Sequence, residues 1–176
     1  MRRIAFASLF LVLAACSKDK EVNPPAELVD FRQTLAVERA WDASVGGGDA
    51  ALRLGLGATV VGDRVYAAGH GGEIAAFALA NGRALWQTKT KAPLAGSTGA
   101  DATLVVAGSS QGEVIALSGE SGSVLWRVRV RGEVLSAPLV APTAVVVRTV
   151  DGRLVALARE DGHELWSVEQ QIPRLT

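Results

Sequence analysis

Between Leu56 and Thr88 the apolar residues fall on alternate positions in four short runs, near Leu56–Val61, Arg64–Ala68, Glu73–Leu79 and Ala84–Thr88. That two-residue period is the pattern of half-buried strands. Gly62-Asp63, Gly71-Gly72 and Asn81-Gly82 separate the runs, and there glycine or a small polar residue permits the positive φ of a tight turn. The pattern predicts four short antiparallel strands, and it then repeats. Gly72 to Trp86 contains Gly-Glu-Ile-Ala-Ala-Phe then Asn-Gly-Arg-Ala-Leu-Trp. Gly112 to Trp126 contains Gly-Glu-Val-Ile-Ala-Leu then Ser-Gly-Ser-Val-Leu-Trp, and Gly152 to Trp166 contains Gly-Arg-Leu-Val-Ala-Leu then Asp-Gly-His-Glu-Leu-Trp. Each phrase opens on Gly72, Gly112 or Gly152, turns on Gly82, Gly122 or Gly162, and closes on Trp86, Trp126 or Trp166, 40 residues apart. Self-similarity at this period marks a propeller or solenoid.

A four-stranded sheet of this size cannot bury both faces alone, so successive units must stack and share apolar residues. Val65, Ala67, Phe77 and Leu85 form the expected packing set of the first unit, and Val105, Ala107, Leu117 and Leu125 that of the second. The tryptophans fall on the outermost strand, where a large ring covers the seam between units and its indole N–H reaches a backbone carbonyl. Identical placement in every unit points to a structural requirement rather than a ligand. Val37 to Asp42 repeats part of the phrase, with Trp41 placed 45 residues ahead of Trp86 and no strands before it. It reads as an orphan outer strand over residues 37–45. The fold class expected is all-β: a β-propeller of four-stranded antiparallel blades spanning 37–176, with blades at about 55–90, 94–130 and 134–170. Three blades and a spare strand do not close a ring in a fold of roughly four to eight blades. The chain therefore reads as the front part of a longer propeller.

Ahead of the repeats, Arg2 and Arg3 precede an apolar stretch from Ile4 to Ala14. It is too short to span a bilayer but suits a signal-peptide core, so residues 1–15 are expected to be removed. Leu13-Ala14-Ala15-Cys16 resembles the bacterial lipobox, in which the cysteine thiol becomes lipid-modified. Cys16 is the sole cysteine, which excludes an intrachain disulfide. Acyl chains such as palmitate at Cys16 would anchor the chain beside a membrane rather than through it. Ser17, in place of Asp, resembles the sorting signal for the periplasmic face of the outer membrane. Residues 16–36 are polar and mixed in charge, and Pro24-Pro25 forbids regular structure there; they read as a tether, with one short helical turn conceivable around Leu28 to Leu35.

Composition removes several function classes. Eighteen basic residues balance eighteen acidic ones, so no broad field favours nucleic acid. Lys89, Lys91, Arg127, Arg129 and Arg131 collect positive charge, but Glu113, Glu120 and Glu133 are interspersed, as on a solvated outer surface. His70 and His163 occupy different places in the repeat, and no motif has metal-ligand spacing. Asp63, Asp101, Asp151 and Asp161 adjoin turns, where a carboxylate accepts a backbone N–H. No enzyme chemistry, metal or cofactor is expected.

Lipobox, tether, orphan tryptophan strand and blade phrase, in that order, resemble the BamB family, the propeller lipoproteins of the outer-membrane β-barrel assembly machinery. Trp41-Asp42-Ala43-Ser44-Val45-Gly46-Gly47-Gly48 is similar to the family's opening strand and glycine-rich exit. Gly132-Glu133-Val134-Leu135-Ser136-Ala137-Pro138 is similar to its Gly-Glu-x-Leu-Ser-x-Pro stretch. The resemblance implies an eight-bladed ring, of which three eighths are present here. It implies a non-enzymatic scaffold that assists folding and insertion of outer-membrane proteins, in contact with the POTRA domains of a BamA-like central subunit and with unfolded outer-membrane proteins. Ile172-Pro173-Arg174-Leu175-Thr176 resembles the start of the family's partner-binding loop, Pro-x-Leu-Ser-Leu-Arg-Gly, which implies partner contacts at Leu175 and Arg174. Read from the residues alone, a leucine folded back onto its own blade ranks first for Leu175. Periplasmic quinoprotein dehydrogenases share the repeat phrase and hold pyrroloquinoline quinone and calcium at the ring centre. Calcium requires several converging oxygens, and the three units offer no such set.

Overall fold

The computed structural model describes residues 25–47 and 55–169. Cys16, Arg174 and Leu175, and with them the lipidation and partner-loop expectations, lie outside those residues. The chain divides into two units, residues 1–37 and residues 38–176. In the first, residues 25–37 carry no regular element, and Leu28, Val29, Phe31, Leu35 and Val37 are exposed.

Among the described residues the second unit holds twelve strands in three sheets. The first comprises β1 (Thr59–Val61), β2 (Arg64–Ala68), β3 (Glu73–Ala78) and β4 (Ala84–Lys89). The second comprises β5 (Gly99–Ala100), β6 (Leu104–Gly108), β7 (Glu113–Ser118) and β8 (Val124–Arg129), and the third β9 (Leu139–Val140), β10 (Ala144–Arg148), β11 (Arg153–Ala158) and β12 (Glu164–Glu169). Every strand pairs antiparallel with its sequence neighbour inside its own sheet. Such local pairing needs only tight turns, and the glycines supply them: Gly62, Gly82, Gly122 and Gly162 all have φ between 59° and 78°, a region that penalises a Cβ. Residues 38–47 join no ladder among the described residues. The segment expected as an orphan strand is instead held by its side chains, Trp41 and Val45 packing against Val65, Ala75 and Phe77.

The core lies between sheets. Tyr66, Ala68, Ile74 and Ala76 of the first sheet meet Val105, Ala107, Ile115 and Leu117 of the second. Leu104, Val106, Val114, Ala116 and Trp126 of the second meet Val145, Val147, Val155 and Leu157 of the third. Strand alternation explains this economy, since odd and even residues of one strand serve different neighbours.

One expectation fails for a definable reason. Trp86, Trp126 and Trp166 oppose Ala76, Ala116 and Ala156, yet Phe77, Leu117 and Leu157 oppose Ala84, Val124 and Glu164. Each outer strand therefore carries one unpaired residue, a β-bulge. The extra residues are Leu85, Leu125 and Leu165, and the bulge removes them from the alternation. Leu125, expected in the seam, is 54% exposed; Leu85 is only half-buried. Ala67, also expected in the core, is half-buried; among the described residues Trp41 and Val45 are what packs on that face of the first sheet.

Candidate functional site

One side-chain constellation that recurs is a tryptophan seated on the next unit's turn glycine. The indole N–H of Trp41 donates to the carbonyl of Leu79 at 2.7 Å, that of Trp86 to Gly119 at 3.1 Å, and that of Trp126 to Arg159 at 2.8 Å. Each acceptor lies three residues before the turn glycine. A Cβ on Gly82 or Gly162 would come within 2.6 Å of the ring of Trp41 or Trp126, and Gly122 is as tightly covered by Trp86. The rings thus pack on turns that only glycine leaves open. Trp166 meets no such turn among the described residues and is 47% exposed.

Two rims flank the stacked sheets. One carries Gly72, Gly112 and Gly152, whose φ angles lie between 75° and 95°, and the segments leaving β4 and β8. Thr90 binds the Gly72 carbonyl through both its N–H and its hydroxyl, Val130 N–H binds Gly112 O at 2.8 Å, and His70 Nδ1 lies 2.8 Å from Leu94 O. Ion pairs cross each sheet near this rim: Lys89 with Glu73 and Arg127 with Glu113, both at 3.1 Å, and Arg153 with Glu169 at 2.9 Å. The polarity is reversed in the third unit. Glu73 sits where Gly46, Gly69 and Gly71 leave room for its carboxylate. Its own backbone N–H and then Lys89 hold it below the usual carboxylate range against the effect of burial. β12 ends at Glu169 on this same rim.

The opposite rim carries the Asn-Gly, Ser-Gly and Asp-Gly turns. Burial works against ionisation of Asp101, but the N–H groups of Thr103 and Leu104 and the Arg159 guanidinium outweigh it and hold its pKa low. Asp161 is held low by the N–H and then the ring of His163, whose Nδ1 lies 2.7 Å away. These aspartates and histidines are engaged in local turns rather than aimed at a common point. Among the described residues no group of three His, Cys, Asp or Glu could hold a metal ion.

Two cross-unit anchors escape sequence reasoning. The Gly119 carbonyl accepts from Arg64 at 2.7 Å and Tyr66 at 3.2 Å as well as from Trp86. Arg159 reaches back to Thr103, Asp101 and the Ala141 carbonyl. Neither arginine recurs at the repeat spacing, since Leu104 and Ala144 stand where Arg64 does, and Leu79 and Gly119 where Arg159 does. Repetition, the signal that exposes the tryptophans, is blind to them.

With this geometry in place, comparison with known proteins becomes specific. The family model described as outer membrane protein assembly factor BamB matches residues 34–98 and 72–176. An outer membrane protein assembly factor BamB from Burkholderia pseudomallei is 38% identical over 107 residues, covering 60% of this chain and 27% of that relative. The crystal structure of BamB from Moraxella catarrhalis superposes with a TM-score of 0.62 at 25% identity, over 68% of this chain and 37% of that one. A quinohemoprotein alcohol dehydrogenase from Pseudomonas putida gives a TM-score of 0.57 at 21% identity, over 67% of this chain and 21% of its own. That last likeness is one of fold alone, and it identifies the three sheets as propeller blades. The chain spans about a quarter of the length of the curated relatives it matches.

Proposed function

The chain belongs to the family of the outer membrane protein assembly factor BamB, and on that premise we propose that it is a non-enzymatic scaffold of the outer-membrane β-barrel assembly machinery. It is held by acylated Cys16 at the periplasmic face of the outer membrane and docks on a BamA-like subunit through that subunit's POTRA domains. The observation that carries the reading is the family match, which reaches from residue 34 to residue 176. The blade geometry supports it: histidines and aspartates serve turns, tryptophans serve seams, and the loops at the rims can vary without disturbing the stacked strands. Arg174 and Leu175 follow β12, which ends on the rim bearing the paired charges, and a leucine anchor beside an arginine suits a compact interface.

Two measurements test the proposal. Exchanging Arg174→Glu and Leu175→Asp together is expected to abolish capture of purified POTRA domains while leaving thermal unfolding within about 3 °C of wild type. Undiminished capture removes the loop from the interface, and loss accompanied by unfolding withdraws support from it. For the anchor, growth with a labelled fatty acid should mark the wild-type protein and leave Cys16→Ser unmarked; equal labelling of both rejects acylation at this residue.

A further inference from the structure

The ion pairs on the rim bearing Gly72, Gly112 and Gly152 do not use up its cations. Arg127 pairs with Glu113 and also donates to the Thr90 carbonyl at 3.0 Å, which brings β8 of the second sheet against the segment leaving β4 of the first. Arg129 follows on the same face of β8, opposite a Glu113 that Arg127 already engages. Lys91 and Arg131 each stand five residues beyond a seam tryptophan, at equivalent places in successive units. Lys91, Arg129 and Arg131 are all exposed and make no ion pair among the described residues. The sheets on both sides of this seam are described, so the patch does not depend on what stacks beyond the third sheet. The chain as a whole is neutral, and part of the balancing charge lies at the opposite rim, where Glu120, Glu160 and Asp161 are exposed. Lys91 is held in place against its own backbone preference. Its φ is 65°, a region that penalises a Cβ, and the residue five positions after Trp41 is Gly46, with φ 64°. Thr90 fixes the bend with its N–H and hydroxyl both on the Gly72 carbonyl. A strained residue kept where glycine would serve points to a use for its side chain.

We propose that this rim, over the seam of the first and second sheets, binds an acidic segment of a protein partner, whose carboxylates are taken by Lys91, Arg129 and Arg131. Guanidinium groups suit the task because their fixed fork of N–H donors matches a carboxylate. Held on strand ends and pinned loops, the three cations need little ordering when a partner arrives. Glu133 and Asp151 are exposed on the same rim. They repel a continuous anionic surface such as a membrane, whereas a single acidic segment can pass between them. The identity of the partner rests on the scaffold reading, in which β12 leads to the docking loop at this same rim; the surface itself rests on the charges and on Lys91.

The test uses the full chain with Cys16→Ser and three probes: a fluorescent glutamate-rich peptide, purified POTRA domains, and phosphatidylglycerol vesicles. Lys91→Gln, Arg129→Gln and Arg131→Gln together should weaken binding of the peptide and of the POTRA domains on the order of tenfold at low salt. The difference should vanish at about 0.5 M salt, and circular dichroism should not change. Glu120→Gln with Glu160→Gln, on the opposite rim, should leave binding as it is. Lys91→Gly is the sharper variant: it should weaken peptide binding with no fall in unfolding temperature, since glycine suits the φ of 65°. A lysine kept for the fold alone would show unchanged binding. Peptide bound equally by wild type and the triple variant overturns the proposal, and so does binding to the vesicles without binding to the peptide. If wild type binds the peptide and the triple variant does not, while neither captures POTRA domains, the scaffold reading loses its partner and the acidic-segment surface stands.

Discussion

Alanine in place of Trp126 is expected to lower the free energy of unfolding by ~3–5 kcal/mol. The ring is 7% exposed, lies in the cluster that joins the second and third sheets, and covers Gly162. Truncation removes that buried surface and leaves a void between two backbones that strand pairing prevents from collapsing. It also strands the Arg159 carbonyl, which the indole N–H satisfies. Trp166→Ala is the internal comparison: same phrase, same strand position, but 47% exposed, so a loss below about 1 kcal/mol is expected. Guanidinium unfolding followed by circular dichroism measures both, with an unchanged slope confirming that the transition is the same one. Equal losses at the two positions would show that burial in the seam is not what Trp126 contributes.

Gly122→Ala is the second large effect, and Gly62→Ala separates its two sources. Both glycines have positive φ, 72° and 59°, so each alanine meets a backbone penalty of ~1–2 kcal/mol. At Gly62 nothing lies within 4 Å of the new methyl group, and the penalty ends there. At Gly122 the methyl group enters the ring of Trp86 and comes 2.9 Å from Thr88 Oγ1, while Thr88 donates to the Gly122 carbonyl. Relieving the clash means lifting Trp86 off the turn and away from Gly119, for a total of roughly 3 kcal/mol or more. Thermal unfolding should therefore shift at least twice as far for Gly122→Ala as for Gly62→Ala. Equal shifts would mean that the ring yields freely and that the seam is not tightly set.

The fold is legible in this sequence to the extent that its physics repeats. Turn glycines, strand alternation and the tryptophan period each follow from local requirements met three times over, and together they place the strands of β2, β3 and β4 to within a residue. Leu125 shows where that reasoning ends: strict alternation assigns it to the core, and a single unpaired residue at the bulge turns Trp126 inward instead. Arg64 and Arg159 show a second boundary, since each makes a contact unique to one seam and periodicity carries no trace of it. The roles proposed for Cys16 and Leu175 rest on motifs alone, since both residues lie outside those the structure describes. The candidate site is thus written in resemblance, and the platform that presents it in packing.

The reversed ion pair of the third unit bears on how three nearly identical sheets avoid exchanging strands. Glu73 lies opposite Lys89 and Glu113 opposite Arg129, whereas Arg153 lies opposite Glu169. If β12 were to settle against β3 or β7 in the same register, Glu169 would face Glu73 or Glu113; if β4 or β8 settled against β11, Lys89 or Arg129 would face Arg153. Like charges directly opposite oppose such pairing, by about 0.2–1 kcal/mol for each. The bias is small beside the total stability, but it acts while the chain is choosing partners, before a seam tryptophan has found its glycine. The two inverted charges give the third unit its own address in a molecule whose hydrophobic pattern supplies none.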